Sequence, residues 1–399
     1  MKILAIATIC PVPGILAEND VILQFYKRLQ EMYPEVEVKV LKPAVFATDF
    51  MVKFKPSLKA LCETRKLDRF EVHGFPVQTV PFIYLSNESH IYHTLARTIL
   101  LTNQKRIEEF LEGYDYDFIH AHYINMDGEL ARQLSKKSGK PYILSTQREE
   151  HRFRNKTERW NAQRIVESAA EVTSLSPFAA KKIAQCTERR SKVIPYGIND
   201  LFLDGKVERS TVSADKFKLI TVGRLLTLKN IDIILLALGN LKGAFDFEFT
   251  VIGEGPDRVR LESMVNELGL AEKVQFKGFL EREVIRQQLS EHDLFVLPSA
   301  PETYGLVYPE AMSCGLPVIC AKDNGFHGHF MEGECGISVV PRDIKDLERV
   351  LRHLFNNPEE IRCMSIAALQ HSRAFSWNKC CESYMNVFKG ILTSFALES

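Results

Sequence analysis

Two carboxylates eight positions apart, Glu302 and Glu310, flank Gly305 in the segment Pro298-Ser-Ala-Pro-Glu302-Thr-Tyr304-Gly305-Leu306-Val307-Tyr-Pro-Glu310-Ala-Met-Ser-Cys-Gly315-Leu. Ionised carboxylates accept hydrogen bonds from hydroxyls, and bonds of that kind are the stronger, charge-assisted ones. The elements that hold them can be read from the pattern. Asp293-Leu-Phe-Val-Leu297 reads as a buried parallel strand, Leu306 to Cys314 as a helix stopped by Gly315 and Pro317, and Val318-Ile-Cys320 as the next strand. Glu302 is therefore expected on a loop at the carboxyl end of a strand, where open α/β sheets bind ligands. Gly305 lets the backbone approach an anion, and the start of the helix offers N–H groups and a positive dipole end to a phosphate. Glu310 falls about one turn into that helix, within reach of hydroxyls beside such a phosphate. A carboxylate for a sugar, a helix end for phosphates and a carboxylate for a ribose describe a nucleotide-sugar site.

Two further constellations carry chemistry. Thr221-Val-Gly223-Arg224-Leu-Leu-Thr-Leu-Lys229-Asn230 follows a strand pattern and sets two cations on one turn. Arg224 can make a two-pronged contact with a diphosphate and Lys229 a point-charge contact. Asp117-Phe-Ile-His120-Ala-His122 runs from a strand into a loop and a helix. His122 at its end can hydrogen-bond a hydroxyl or move a proton near neutral pH. His120 is expected on the opposite side of the strand, as a structural residue, from the alternation of side chains.

The Glu-x7-Glu arrangement with E-x-x-G-L-x-x-x-E-A-M-x-x-G-x-P-V resembles the donor-site signature of retaining glycosyltransferases of the GT-B fold, specifically glycosyltransferase family 4, the group 1 transferases. That resemblance implies an α/β fold of two Rossmann-like, doubly wound parallel-sheet domains facing across a cleft. It implies a nucleoside diphosphate sugar as donor, an acceptor hydroxyl, and retention at the anomeric carbon. Arg224 and Lys229 match the family's G-R-x-x-x-x-K-G pattern, in which they neutralise the leaving diphosphate, with Asn230 standing for the usual Gly. Glu310 is then the ribose ligand, while Glu302 and His122 orient the sugar from the two domains. Tyr304, Gly305, Leu306 and Val307 line the donor site, and Gly278-Phe279-Leu280 lies beside the base. Gly14, in Cys10-Pro-Val-Pro-Gly14, falls where the family has a glycine-rich loop near the phosphates. Lys322-Asp-Asn324-Gly325-Phe326-His327 stands in the place of the family's G-G-x-x-E loop and lacks its Glu. No Asp-x-Asp occurs at a strand end, so neither a metal nor another cofactor is expected.

The organisation of the chain fits this. Its 399 residues suit two domains with separate cores. Strand and helix patterns alternate, which argues for parallel sheets. Strands are expected at Lys2–Thr8, Val36–Leu41, Gln78–Pro81, Phe118–Ala121, Tyr142–Thr146 and Val172–Leu175. Helices are expected at Asp20–Tyr33 and Tyr92–Gly113. The pattern restarts with strands at Phe217–Val222, Phe247–Ile252 and Val274–Phe276 and helices at Asn230–Leu241 and Arg258–Leu268. Pro195-Tyr-Gly197-Ile-Asn199 and the polar stretch to Asp215 read as the junction. We therefore place an acceptor-side domain at 1–200 and a donor domain at 201–375. The helix 376–399, opened by Phe375-Ser-Trp377, returns to the first domain, as the resemblance implies. Gly253-Glu-Gly255-Pro reads as a structural corner.

Bulk properties set bounds. The formal charge is zero, with 29 Lys and Arg against 24 Asp and Glu in residues 1–200 and 22 against 27 in residues 201–399. That imbalance suits contact between the first domain and an anionic membrane, not nucleic acid. Phe50-Met-Val-Lys53-Phe54-Lys55-Pro-Ser-Leu-Lys59 interleaves apolar and basic residues as a membrane-surface segment does, and Arg148–Lys156 is a second basic stretch where the family builds its acceptor site. Nine cysteines without Cys-x-x-Cys or zinc-site spacing point to a reducing compartment. No stretch reaches the ~18 apolar residues of a membrane span. The expectation is a cytoplasmic enzyme, peripheral at the inner face of the cytoplasmic membrane, with a lipid-linked or saccharide acceptor in surface polysaccharide or glycolipid assembly. A nicotinamide oxidoreductase would show Gly-x-Gly-x-x-Gly after the first strand, which Thr8–Gly14 lacks. A non-catalytic binder on the same fold would be expected to lose Arg224, Lys229 or Glu302.

Overall fold

The computed structural model describes residues 1–12, 20–55, 59, 68–83, 89–147, 156–203 and 216–398. The chain forms two compact units. One comprises Met1–Leu175, Ala179–Ile194 and Cys381–Ser399, the other Ser176–Phe178 and Pro195–Cys380.

The first unit is built on β1 (Lys2–Ile6), β2 (Glu37–Phe46), β3 (Arg69–Val72), β4 (Phe75–Ile83), β5 (Phe118–Ala121), β6 (Tyr142–Thr146), β7 (Glu171–Ser174) and β8 (Lys192–Val193). Their order is β3-β4-β2-β1-β5-β6-β7-β8. All pairs are parallel except β3 with β4, a hairpin whose turn takes His73 and Gly74 to positive φ. Ile3, Leu4, Ala5 and Ile6 are fully buried, as befits a central strand covered on both faces. The first strand ends at Ile6, short of Thr8, because the Thr8 N–H donates to the Asp127 carboxylate instead of extending the ladder. The expected helix over Tyr92–Gly113 is two, Ser89–Thr102 and Gln104–Leu111. Buried Asn103 divides them: its Nδ2 donates to the carbonyls of Ile99 at 2.8 Å and Pro81 at 3.1 Å.

The second unit carries β9 (Phe217–Val222), β10 (Phe247–Ile252), β11 (Val274–Gly278), β12 (Leu294–Leu297), β13 (Val318–Ala321) and β14 (Gly336–Val339), in the order β11-β10-β9-β12-β13-β14, all parallel. Helices Ile231–Leu241 and Ile344–Asn356 pack on the sheet through Ile234, Leu235, Leu238, Leu347, Leu351 and Leu354. The sequence reading missed β14, whose four residues include the half-buried Ile337 and Ser338, a pattern too short for a periodicity signal. It also missed the helices Arg282–Ser290, Ile344–Asn356 and Pro358–Ser372. At the junction, Gly197 lies so close to Trp377 that an added Cβ would meet its backbone N at 2.3 Å, and Ile198 N–H donates to Phe375 O at 2.9 Å. Glycine is required there by packing, and this contact holds Pro195–Asn199 on the segment that opens the last helix, Trp377–Glu398.

Among the described residues eight cysteines form no disulfide, Cys10, Cys314 and Cys320 among the buried ones. Among the described residues no helix is long and apolar enough to cross a membrane. Helix Asp49–Phe54 carries Phe50 and Phe54, 68% and 77% exposed, with ring centroids 5.1 Å apart and Lys53 and Lys55 also exposed. Gly14, Arg148 to Asn155 and the polar stretch 204–215 lie outside the described residues.

Candidate functional site

Because all six strands of the second unit run the same way, their carboxyl ends share one edge. β9 connects onward to β10 on one side and has β12 on the other, so the strand order reverses between β9 and β12. A crevice opens at such a point in doubly wound sheets. The loop after β9 supplies Gly223, Arg224 and, through the 3₁₀ turn Thr227–Lys229, the lysine; the loop after β12 supplies Ser299 and Glu302. The two loops are tied where they meet, Ala300 N–H donating to Leu228 O at 2.9 Å. Lys229 Nζ lies 2.7 Å from Glu302 Oε2, both side chains mostly buried, and Ser299 Oγ donates to the same oxygen at 3.0 Å. Arg224 is exposed and has no ion-pair partner among the described residues.

Asn230 explains how the cation loop tolerates its departure from the Gly-bearing pattern. It takes φ 53°, the left-handed region that Gly and Asn adopt most readily. Its side chain donates to Pro298 O at 2.7 Å and accepts from Arg342 Nη1 at 3.2 Å. Gly253 and Gly255 back the same loop: a Cβ on either would meet the carbonyl oxygens of Gly223 at 2.0 Å or Leu225 at 2.2 Å. That close approach is what the structural-corner reading of Gly253–Gly255 requires.

Beyond Glu302, Gly305 takes φ 80°, with Tyr308 packed so closely that a Cβ would sit 2.5 Å from its ring. Helix Val307–Ser313 starts there without a side-chain cap. Glu310 is half-buried, and its carboxyl makes no hydrogen bond or ion pair with a described residue. Burial pushes its carboxyl up to about 7, against the pull of Arg282. Leu306 and Val307 are half-buried at the helix start, whereas the Tyr304 ring is buried, its hydroxyl donating to Tyr196 O at 3.1 Å. Only the backbone of Tyr304 is left for a ligand. At the end of β11, Gly278 is buried at φ 70°, Leu280 is half-buried and the Phe279 ring is 72% exposed. Sequence reasoning missed Ser299 and the role of Asn324, whose Oδ1 accepts from Glu302 N–H at 3.3 Å. Ser299 was marked only by its place two residues after a strand, and Asn324 by its place in the loop lacking the family's Glu.

In the first unit the expectation for the histidines needs correction. His120 and His122 are two residues apart on a strand end and so share a face, with ring centroids 4.2 Å apart. Both rings bond the Tyr26 hydroxyl, His120 through Nδ1 at 2.8 Å and His122 through Nε2 at 2.7 Å. His122 is fully buried and its Nδ1 faces Gln147 Nε2 at 3.2 Å. Both of its nitrogens are therefore engaged inside its own unit, and neither is open to a sugar. Burial lowers the His120 imidazole to about 3 and takes His122 well below the ordinary range, with the neighbouring His120 adding to the second shift. Nearby, buried Lys42 donates to the carbonyls of Thr8 at 2.9 Å and Cys10 at 2.6 Å, fixing the chain that leaves β1.

Residues 206–371 match the family model described as glycosyl transferases group 1. The second unit carries a group 1 glycosyltransferase domain. Over 308 residues, 69% of this chain and 74% of the other, the protein is 27% identical to D-inositol 3-phosphate glycosyltransferase of Paenarthrobacter aurescens. It is 28% identical to alpha-D-kanosaminyltransferase of Streptomyces kanamyceticus over 50% of this chain and 55% of that one. Among solved structures it is similar to the lipopolysaccharide outer core galactosyltransferase WaaB, with a TM-score of 0.74 at 17% identity over 98% of this chain and 99% of that one. The complex of Anabaena HepE with UDP gives a TM-score of 0.68 at 19% identity, over 98% and 100% of the two chains. The fold is GT-B, with two parallel-sheet α/β domains and no closed barrel among the described residues.

Proposed function

We propose that this glycosyltransferase moves a sugar from a nucleoside diphosphate sugar to an acceptor hydroxyl with retention of anomeric configuration. The observation that carries the reading is the pairing of Lys229 with Glu302 at the β9/β12 crevice, together with Arg224 and the Glu310 carboxyl, neither of which has an ion-pair partner among the described residues. The bond from the anomeric carbon to the diphosphate oxygen breaks, and a bond to the acceptor oxygen forms on the same face. The acceptor proton passes to an oxygen of the departing diphosphate. Charge grows on that diphosphate as it leaves, and Arg224 and Lys229 stabilise it there without a metal. Glu302, already fixed by Ser299 and Asn324, holds a sugar hydroxyl while Lys229 turns to phosphate. Glu310 holds the ribose, the backbone from Tyr304 to Val307 meets the phosphates, and Gly278, Phe279 and Leu280 lie beside the base. His122 is assigned an indirect part, since its ring is committed within its own unit.

The complex of HepE with UDP supports a nucleotide donor of this class. The acceptor is assigned to surface polysaccharide or glycolipid assembly, reached from the cytoplasmic face of the membrane. Exposed Phe50 and Phe54 among Lys53 and Lys55 support peripheral contact with anionic lipid. A thermal-shift screen of nucleoside diphosphates and their sugars tests the donor assignment. One of them should stabilise the protein by ~2.7 kcal/mol at a hundred times its dissociation constant. If none raises the melting temperature at millimolar concentration, the donor assignment fails.

A further inference from the structure

The first unit holds an unbroken line of hydrogen bonds from half-buried Tyr123 to Tyr384, buried from Gln147 onward. Tyr123 OH donates to Gln147 Oε1 at 3.2 Å, which leaves the amide nitrogen facing His122 Nδ1 at 3.2 Å. An amide nitrogen only donates, so that ring nitrogen is a bare acceptor. A neutral His122 then carries its proton on Nε2 and gives it to the Tyr26 oxygen at 2.7 Å. The single Tyr26 proton is thereby directed to His120 Nδ1 at 2.8 Å, and His120 donates through Nε2 to Ser145 Oγ at 2.7 Å. Ser145 continues to Thr173 Oγ1 at 2.8 Å or to Tyr384 OH at 2.9 Å. Every group after His120 is a hydroxyl, which donates or accepts with equal ease. The direction of the line is therefore set at one end only, by the Gln147 amide.

We propose that Gln147, Tyr26 and His120 are positioning residues that lock His122 in a single neutral tautomer, with the proton on Nε2. The functional consequence rests on the glycosyltransferase reading. Gln147 is the residue that precedes Arg148–Lys156 in the sequence, the stretch assigned to the acceptor, so the lock holds the side chain from which that stretch follows. The lock itself stands on the geometry alone. It also accounts for two histidines, two tyrosines and an amide buried together without a charged group among the bonds that join them.

Nitrogen-15 NMR of histidine-labelled protein tests it, because the two neutral tautomers and the imidazolium have different ring-nitrogen shifts. The rings are assigned by single His→Gln variants. In the unaltered protein at pH 7 both His120 and His122 should be neutral with the proton on Nε2. Either ring charged, or protonated on Nδ1, overturns the proposal. Gln147→Leu should release both rings into tautomer mixtures, whereas Tyr26→Phe should release His120 alone. A Gln147→Leu protein whose rings keep one tautomer overturns it as well. In turnover assays Gln147→Leu should raise KM for the acceptor severalfold and leave nucleoside diphosphate affinity unchanged. The reverse pattern would remove the positioning role. A failure of the glycosyltransferase reading would leave the NMR result intact, so the two failures are distinguishable.

Discussion

Glu310 offers a prediction whose size comes directly from the structure. Its carboxyl, half-buried and without a hydrogen-bond or ion-pair partner among the described residues, is pushed by burial up to about 7. Ribose hydroxyls donate to the ionised form, so binding must draw on the ionised fraction. Lowering the pH from 8 to 6 takes that fraction from about nine-tenths to about one-tenth, and nucleoside diphosphate affinity should fall roughly tenfold from this group alone. The diphosphate also takes up protons over this range, but Glu310→Gln shares that effect and removes the carboxyl. In calorimetry the variant should bind about tenfold or more weakly at pH 8, given ~1.5–3 kcal/mol for a charged hydrogen bond. It should also lose the extra tenfold between the two pH values. Stability carries the opposite sign. A carboxyl raised in the folded state contributes stability below its ordinary range, and the contribution is lost as pH rises through about 7. Glu310→Gln should therefore raise the melting temperature of the unliganded protein more at pH 8 than at pH 5. Identical pH dependence of binding in the two proteins would refute the ribose assignment.

Two other outcomes are open to test. Lys229→Ala should lower turnover on the order of 10²-fold, more than it weakens donor binding, because its charge matters most as the diphosphate leaves. Full activity in that variant, or unaltered enzyme inactivated by a chelator, would contradict metal-free charge stabilisation. Replacing Phe50 and Phe54 together by Ser should reduce sedimentation with anionic vesicles roughly tenfold or more, since each buried phenyl is worth ~1.5–3 kcal/mol. Equal binding by the double variant would remove helix Asp49–Phe54 from the membrane reading.

Sequence alone determined the features that depend on neighbours along the chain. Strands Phe118–Ala121, Tyr142–Thr146, Phe217–Val222 and Phe247–Ile252 are legible because central parallel strands are continuous apolar runs. The cation loop and the Glu302–Glu310 segment are legible because strand, loop and helix signals place them at strand ends. Tertiary structure decided what depends on distance across the chain. Lys229 and Glu302 are 73 positions apart, and only the adjacency of β9 and β12 sets them 2.7 Å from each other. Asn324 reaches Glu302 because β13 follows β12 in the sheet. His122 read in isolation is a polar group at a strand end, yet Tyr26 and Gln147 from two other elements enclose it and take both its nitrogens. Glu310 reads as an ordinary acid, but the packing around its helix removes water and shifts its titration to about 7. Local propensity places a residue on an element; burial and partners, which come from distant segments, decide what that residue can do.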